Sequence, residues 1–229
     1  MGDWIAFWNS QNPIYVNDRH RDVHYRHVAE GIRGYVRAGA TVLDYGCGEA
    51  LHATRVAEQA GRLILSDAAP NVRAGLVRRF ASNPNIEVRS PEDVAALAPS
   101  TLDMIVLHSV AQYLSASETD ALLTLFRRLL KSDGLLVLGD IVSPNVNTAA
   151  DVLALLRFAS TNGFTGAAVV GLMRTLLSDY GRLRARVGLT RYEDSTVVQK
   201  LAAAGFSAVR APVNIGHNQA RTTYLARRL

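Results

Sequence analysis

Two glycines and two carboxylates at fixed intervals are the first residues of this chain whose types could do chemistry together. Val42-Leu43-Asp44-Tyr45-Gly46-Cys47-Gly48 runs from an apolar strand into a glycine turn, and Asp67 ends the next apolar run, Leu63-Ile64-Leu65. Glycines where a strand turns into a helix let the backbone approach a ligand and present free N–H groups at the helix start. A carboxylate at the end of the second strand can accept both hydroxyls of a ribose. The set points to an adenosine-containing cofactor, touched by Asp44, Gly46, Cys47 and Gly48 on one side and by Asp67 and Ala68 on the other.

Two features choose among such cofactors. A dinucleotide fingerprint wants a third small residue three positions after the second glycine, and that position is Leu51. A carboxylate at Asp44 would repel a pyrophosphate, yet it suits the ammonium of a methionine moiety. Unit charges about 4 Å apart at a protein surface interact by roughly 4 kcal/mol at an intermediate dielectric, so the sign decides.

Other residues carry open alternatives. His108 is a general base working near neutral pH, a cofactor contact, or a satisfied histidine at a strand end. Tyr113 lines the pocket, as a secondary base candidate, or belongs to the core. His20, His24 and His27 have helical spacing, but no cysteine joins them and arginines surround them, so a solvated or pocket-covering face is the reading and zinc is not expected. Trp8 and Tyr15 either close over the cofactor or pack. Cys47 is a small packing residue rather than a nucleophile. His217, Asn218 and Arg221 are turn residues or substrate contacts.

These residues need elements to position them. Residues 1–38 read as a helical cap with Asn17 as N-cap and Tyr25, Val28, Ile32 and Tyr35 on one face. From 39 to 143, five apolar runs alternate with helices: strands at 41–44, 63–65, 86–88, 102–107 and 135–138. Between them, a helix over 50–60 closes on Gly61, others open at Pro70 and Pro91, and one runs from the Ser115–Glu118 capping box to Lys131. Such alternation implies right-handed crossovers and a doubly wound parallel sheet. Residues 144–190 form a helical insertion after the fifth strand, broken at Gly163 and Gly166. Its apolar side carries Val152, Leu153, Leu155, Leu156, Val169, Val170, Leu172, Met173, Leu176 and Leu177. Residues 191–229 hold a helix stopped by Gly205 and two strands, at 207–214 and 221–227, joined by a short turn and therefore antiparallel. The expected fold is one α/β domain: a seven-stranded, mostly parallel, Rossmann-like sheet whose last strand is reversed.

Composition fits that plan. The 229 residues are 48% hydrophobic and 20% charged, with no apolar run near the ~18 residues that span a bilayer. One cysteine and the absence of a signal-like start suggest a reducing, cytoplasmic setting. The net charge of +5 is scattered and forms no dense run, so a nucleic-acid partner is not expected.

The segment Asp44-Tyr45-Gly46-Cys47-Gly48 resembles the first motif of the class I S-adenosylmethionine-dependent methyltransferases, and Asp67 resembles their ribose-binding acid. The likeness extends over about residues 40–140, and the last two strands look like the family's reversed seventh strand. Ser90-Pro91-Glu92-Asp93 stands where the family has a D-A-E-like segment flanking the adenine, with Ser90 in place of its first acid. His108-Ser109-Val110-Ala111-Gln112-Tyr113 is similar to the fourth motif, in the N-S-V-x-Q-Y form of peptide-assembly-line methyltransferases, with His108 replacing asparagine. The resemblance implies S-adenosylmethionine as cofactor, bound by Asp44, Gly46, Cys47, Gly48, Asp67, Ala68, Ser90, Pro91, Glu92, His108 and Ser109. It implies a small-molecule acceptor, with His108 as base before Tyr113, and no metal cluster among the motifs. The apolar insertion is read as a lid favouring a hydrophobic acceptor, or as core or a homodimer surface. The alternatives are an RNA-modifying methyltransferase, a dinucleotide-dependent oxidoreductase and a binding module without turnover.

Overall fold

Short apolar runs bounded by turns become strands β1 (Thr41–Tyr45), β2 (Arg62–Ser66), β3 (Ile86–Arg89), β4 (Leu102–His108) and β5 (Leu130–Ile141). Two more follow late in the chain, β6 (Phe206–Arg210) and β7 (Thr222–Arg228). The structure is a computed structural model, and it describes residues 2–10, 15–146, 148–176 and 188–229. All seven strands join one sheet in the order β3-β2-β1-β4-β5-β7-β6. The first five are parallel, and β7 runs antiparallel to both β5 and β6, as expected. The order reverses between β1 and β4, which opens a crevice at their carboxyl ends, where ligands of such sheets bind.

Both faces of the sheet are buried, which is why the central strands are nearly all apolar. Val42, Val106 and Val137 pack on one face under α2 (Asp18–Arg33), α3 (Ala53–Ala57) and α4 (Pro70–Phe80). Leu43, Ile105, Leu107 and Leu136 pack on the other under α5 (Pro91–Ala95), α6 (Ala116–Leu129) and a late helix, Asp194–Ala203. An N-terminal helix α1 (Gly2–Trp8) and the insertion helices α7 (Thr148–Asn162) and α8 (Thr165–Leu176) complete the set, so the late helix is α9.

Most helix ends follow their sequence signals. Asn17 accepts the His20 amide, Ser90 and Ser115 form capping boxes, and Gly205 ends α9 at φ +81°. Five boundaries differ. Helix α2 stops at Arg33, so Tyr35 lies beyond its face. Helix α3 spans only Ala53–Ala57, and Gly61 is no C-cap. A Cβ on Gly61 would lie 2.6 Å from the Gly39 carbonyl oxygen, so this glycine lets two backbones pass. Helix α6 stops at Leu129 because Leu130, fully buried, already pairs with Leu102. Gly163, at φ +74°, separates α7 from α8, whereas Gly166 lies inside α8. Strand β6 ends at Arg210, because Asn214 turns into the interior, and the link to β7 is longer than the short turn expected.

The apolar side of the insertion divides. Leu155, Leu156 and Phe158 pack with Val16 around Ala159, Phe164 and Ala168, while Leu153, Val169 and Val170 are 47%, 51% and 50% exposed. The side chains of Met173 and Leu176, and all of Leu177, lie outside the described residues. No helix among the described residues is long and apolar enough to cross a membrane.

Two glycines separate backbone collision from mere flexibility. Gly75 sits inside α4 with nothing within 4 Å of an added Cβ. In urea unfolding, Gly75→Ala should gain about 0.5–1 kcal/mol through helix propensity. Gly61→Ala should lower stability, since the atom it meets is backbone that cannot swing aside.

Candidate active site

The glycine loop is held by its own neighbours. The amides of Gly46 and Cys47 both donate to the Ser66 carbonyl at the end of β2, at 2.6 and 3.1 Å. The Gly48 amide donates to Asp67 Oδ2 at 3.0 Å, and the Glu49 amide to the Tyr25 hydroxyl at 2.9 Å. The expectation of free N–H groups is therefore wrong: the loop uses them to fix its own shape. A pyrophosphate would find no amide donors at Gly46, Cys47 or Gly48, which argues against a dinucleotide on physical grounds. Both glycines have left-handed φ values, +76° and +58°, and a Cβ on them would meet Val110 Cγ2 at 2.3 Å and the Tyr25 hydroxyl at 2.7 Å.

Two carboxylates frame this loop. Asp67 also accepts the Ala69 amide at 2.8 Å, which leaves lone pairs on each oxygen for two further donors. Arg73 holds the Asp67 and Ala68 carbonyls at 2.7 and 3.0 Å and so fixes that corner. Asp44 lies between Leu65 and Val106 in the register, and its carboxylate has no hydrogen-bond partner among the described residues. Burial, then the nearby Asp67 charge, pushes its carboxyl up to about 7. A carboxylate so placed lacks a cation, and an ammonium group would supply one. Cys47 is buried beneath the loop, and burial pushes its thiol well up, which suits packing and not nucleophilic chemistry.

Ser90 and Pro91 stand at the carboxyl end of β3, on the same edge. Ser90 is occupied as the N-cap of α5, with its hydroxyl tied to Asp93, and Glu92 is exposed. On the other side of the loop, β4 ends in His108. Its ring lies against Gly139, where a Cβ would be 2.7 Å from Nδ1. Both His108 nitrogens are buried without a hydrogen-bond partner. Burial lowers its pKa, partly offset by the Asp140 carboxylate, so the ring is neutral at neutral pH. Tyr113 sits with its ring 4.5 Å from Trp4 and 5.8 Å from Trp8. Helix α1 thus rests on Tyr113, while Asn9 bonds Asn71 on the β2 side through two hydrogen bonds. It lies across the crevice, in the covering place considered for Trp8.

Of the α2 histidines only His27 is solvated, exposed beside Phe158 at 5.9 Å, whereas His20 and His24 turn inward. His20 stacks on Phe164 at 4.9 Å, His24 packs on Tyr15 and Tyr25, and His217 stacks on Phe158 at 4.7 Å. Burial holds His20 and His217 down at about 4 and His24 at about 3. Tyr15 therefore belongs to an aromatic wall behind the loop. No group of three or more His, Cys, Asp or Glu among the described residues is placed to hold a metal ion.

A buried network that sequence reading missed joins the strand ends. Ser109 and Asp140 both have left-handed φ values, +58° and +63°, and are linked by a 2.6 Å hydrogen bond. Asp140 also accepts from Asn214 at 3.0 Å and pairs with Arg221 at 2.7 Å, and Arg221 reaches Asp151 of α7 at 3.3 Å. Arg221 is thus an internal tie, beyond the turn residue or substrate contact considered for it. The one sequence signal for Asp140 was its place: a carboxylate after Gly139 at the end of an apolar strand. Tyr25 had no signal beyond its helical face.

Residues 42–134 match the family model of a methyltransferase domain. The backbone resembles magnesium protoporphyrin IX methyltransferase (ChlM) from Synechocystis, solved with bound SAH, at 18% identity and a TM-score of 0.57, over 92% of this chain and 84% of that one. It also resembles a TehB-like SAM-dependent methyltransferase from Corynebacterium glutamicum (14%, TM-score 0.56, 100% and 95%) and the YcgJ protein of Bacillus subtilis (17%, TM-score 0.57, 81% and 70%). At such identities the likeness is one of fold. No curated protein sequence is similar enough to match.

The raised pKa of Asp44 has a definite sign. Folding favours its protonated form, so it weakens stability increasingly as pH rises from about 4 to 7 and fully above that. Asp44→Asn should therefore raise Tm more at pH 8 than at pH 5. The lowered histidines act oppositely: their contribution is complete above pH 6.5 and is lost as pH falls toward 4. His217→Phe should flatten that acid limb of a Tm profile, and an unchanged limb would place the loss elsewhere.

Proposed function

We propose that this chain is an S-adenosylmethionine-dependent methyltransferase, on the match of residues 42–134 to a methyltransferase-domain model, and that it methylates an O, N or C atom of a small, largely apolar organic acceptor. The observation that carries this reading is His108: a neutral imidazole with both nitrogens buried and unpaired, at the end of β4 beside the glycine loop.

The residues fit the cofactor. Asp44 has no partner and sits where an ammonium would neutralise it. Asp67 keeps acceptor capacity for two ribose hydroxyls. Ala68 and the segment Ser90-Pro91-Glu92 stand further along the same sheet edge and would flank the adenine, and Ser109 stands beside His108. S-adenosylmethionine supplies, when bound, an electrophilic methyl group on a sulfonium, open to in-line displacement. The protein's task is then to align the two reactants and exclude water, which can lower a barrier by several kcal/mol. Helix α1 and the aromatic wall supply the exclusion. His108 takes the proton of an acceptor that arrives protonated, and the Asp140 charge favours the resulting imidazolium. Tyr113 is engaged with Trp4 and Trp8 and serves better as part of the cover.

Titration with S-adenosylmethionine or S-adenosylhomocysteine should raise Tm, by the equivalent of about 2.7 kcal/mol at a hundredfold excess over Kd, while NAD should not. Asp67→Asn should weaken cofactor binding by roughly one to two decades, because charged hydrogen bonds contribute about 1.5–3 kcal/mol. A shift with NAD alone would end the reading.

His108→Ala should lower turnover by about 10²–10⁴ with cofactor Kd preserved. Calorimetry beside single-turnover assays separates the two effects. Loss of cofactor affinity instead would make His108 a cofactor contact.

A further inference from the structure

A groove of about 710 Å³ opens between α2, α7 and the link from β6 to β7. That volume lies within the range of small-molecule sites. Its floor is apolar, made by Val23, Leu153, Ala154 and Phe158. Leu153 is 47% exposed. Two guanidinium groups stand on facing elements, Arg26 on α2 and Arg157 on α7. Neither has a carboxylate or carbonyl partner among the described residues. Glu30, the acid that lines the groove, is already paired with Arg33 at 2.8 Å and Arg55 at 2.7 Å. The groove therefore holds two uncompensated positive charges beside apolar surface.

The inner side of the groove is shared with the aromatic wall behind the loop. His217 forms part of its wall, stacked on Phe158, and His24 stands 6.4 Å from His217. His24 in turn lies close enough to His108 for their charges to interact.

We propose that this groove is the acceptor site, and that the acceptor is an organic acid: an apolar or aromatic body bearing a carboxylate or similar oxyanion gripped by Arg26 and Arg157. An arginine fork matches a planar oxyanion through paired N–H groups. The apolar body covers Val23, Leu153 and Phe158, worth about 25 cal/mol per Å² removed from water. Two arginines make an anchor for one anionic group, whereas a nucleic-acid backbone needs a stripe of them. The word acceptor rests on the methyl-transfer reading, while the binding of an anion here does not.

The test compares 1-anilinonaphthalene-8-sulfonate with its uncharged parent, N-phenyl-1-naphthylamine, by fluorescence on the full chain. The sulfonate should bind at least tenfold more tightly, and decanoate should displace it better than decanol. Arg26→Gln/Arg157→Gln should abolish the preference for the anion while the S-adenosylhomocysteine-induced Tm shift stays as in the wild type, which also shows that the variant folds. Equal affinities, a preference surviving in the double variant, or displacement by a uridine oligonucleotide at concentrations below decanoate's would overturn the proposal. If the anion binds as stated but S-adenosylhomocysteine does not, the methyl-transfer reading fails and the anion site stands.

Discussion

The site depends on where the amides of the glycine loop go. Gly46 and Cys47 give theirs to the Ser66 carbonyl, Gly48 to Asp67, and Glu49 to Tyr25. Four consecutive donors are thus used to tie β1 to β2 and to α2, and the loop has one shape before any ligand arrives. That shape requires left-handed backbone at two positions, which glycine adopts without steric penalty. It also decides the chemistry. A loop with its donors spent attracts no phosphate, so carboxylates dominate its field, and a positively charged ligand is the one it suits.

A second constraint registers the carboxyl ends of β4 and β5 against this loop. Ser109 and Asp140 hold left-handed φ values without being glycine, which costs on the order of 1–3 kcal/mol each. The conformation persists because Asp140 is bonded from three directions, by Ser109, Asn214 and Arg221. Arg221 then reaches Asp151, so the carboxyl ends of β4 and β5, the β6–β7 link and α7 are one connected unit. Burying an ion pair is seldom a net gain in stability, and its use here is positional. Removing Arg221 would leave Asp140 a buried charge without its cation. His108, wedged beside Gly139 on the same strand end, takes its orientation from that unit.

Much of this was legible in the chain. Periodicity and caps set the five parallel strands, the reversed last strand, and the starts of α2, α4, α5 and α6, because these depend on neighbours within a few residues. The glycine loop with Asp44 and Asp67 was legible because strand ends and spacing alone place it. What escaped depends on contacts distant in sequence. Asn214 was read as strand because its neighbours are apolar, yet its amide is claimed by Asp140, 74 residues earlier. Tyr25 looked like any helix-face aromatic, and only the folded chain brings its hydroxyl to Glu49. The α2 histidines read as a solvated or pocket-covering face because arginines intervene, and of the three only His27 is exposed. Alternate helical faces carry the two kinds, the imidazoles turning to Phe158, Phe164 and Tyr15.

Those imidazoles complete an electrostatic argument. A sulfonium cofactor with an ammonium brings two positive charges into a crevice of low dielectric, where every further cation repels them strongly. Several ionisable groups near the crevice are arranged accordingly. Asp44 and Asp67 are acidic and frame the loop. His20, His24, His217 and His108 are held neutral by burial. Arg221, the buried cation nearest to them, is matched by Asp140 and Asp151. A wall of lysines or arginines at the histidine positions would have filled the same space and lost the cation. Neutral imidazoles fill it, exclude water and leave one of their number, His108, with its lone pair unspent.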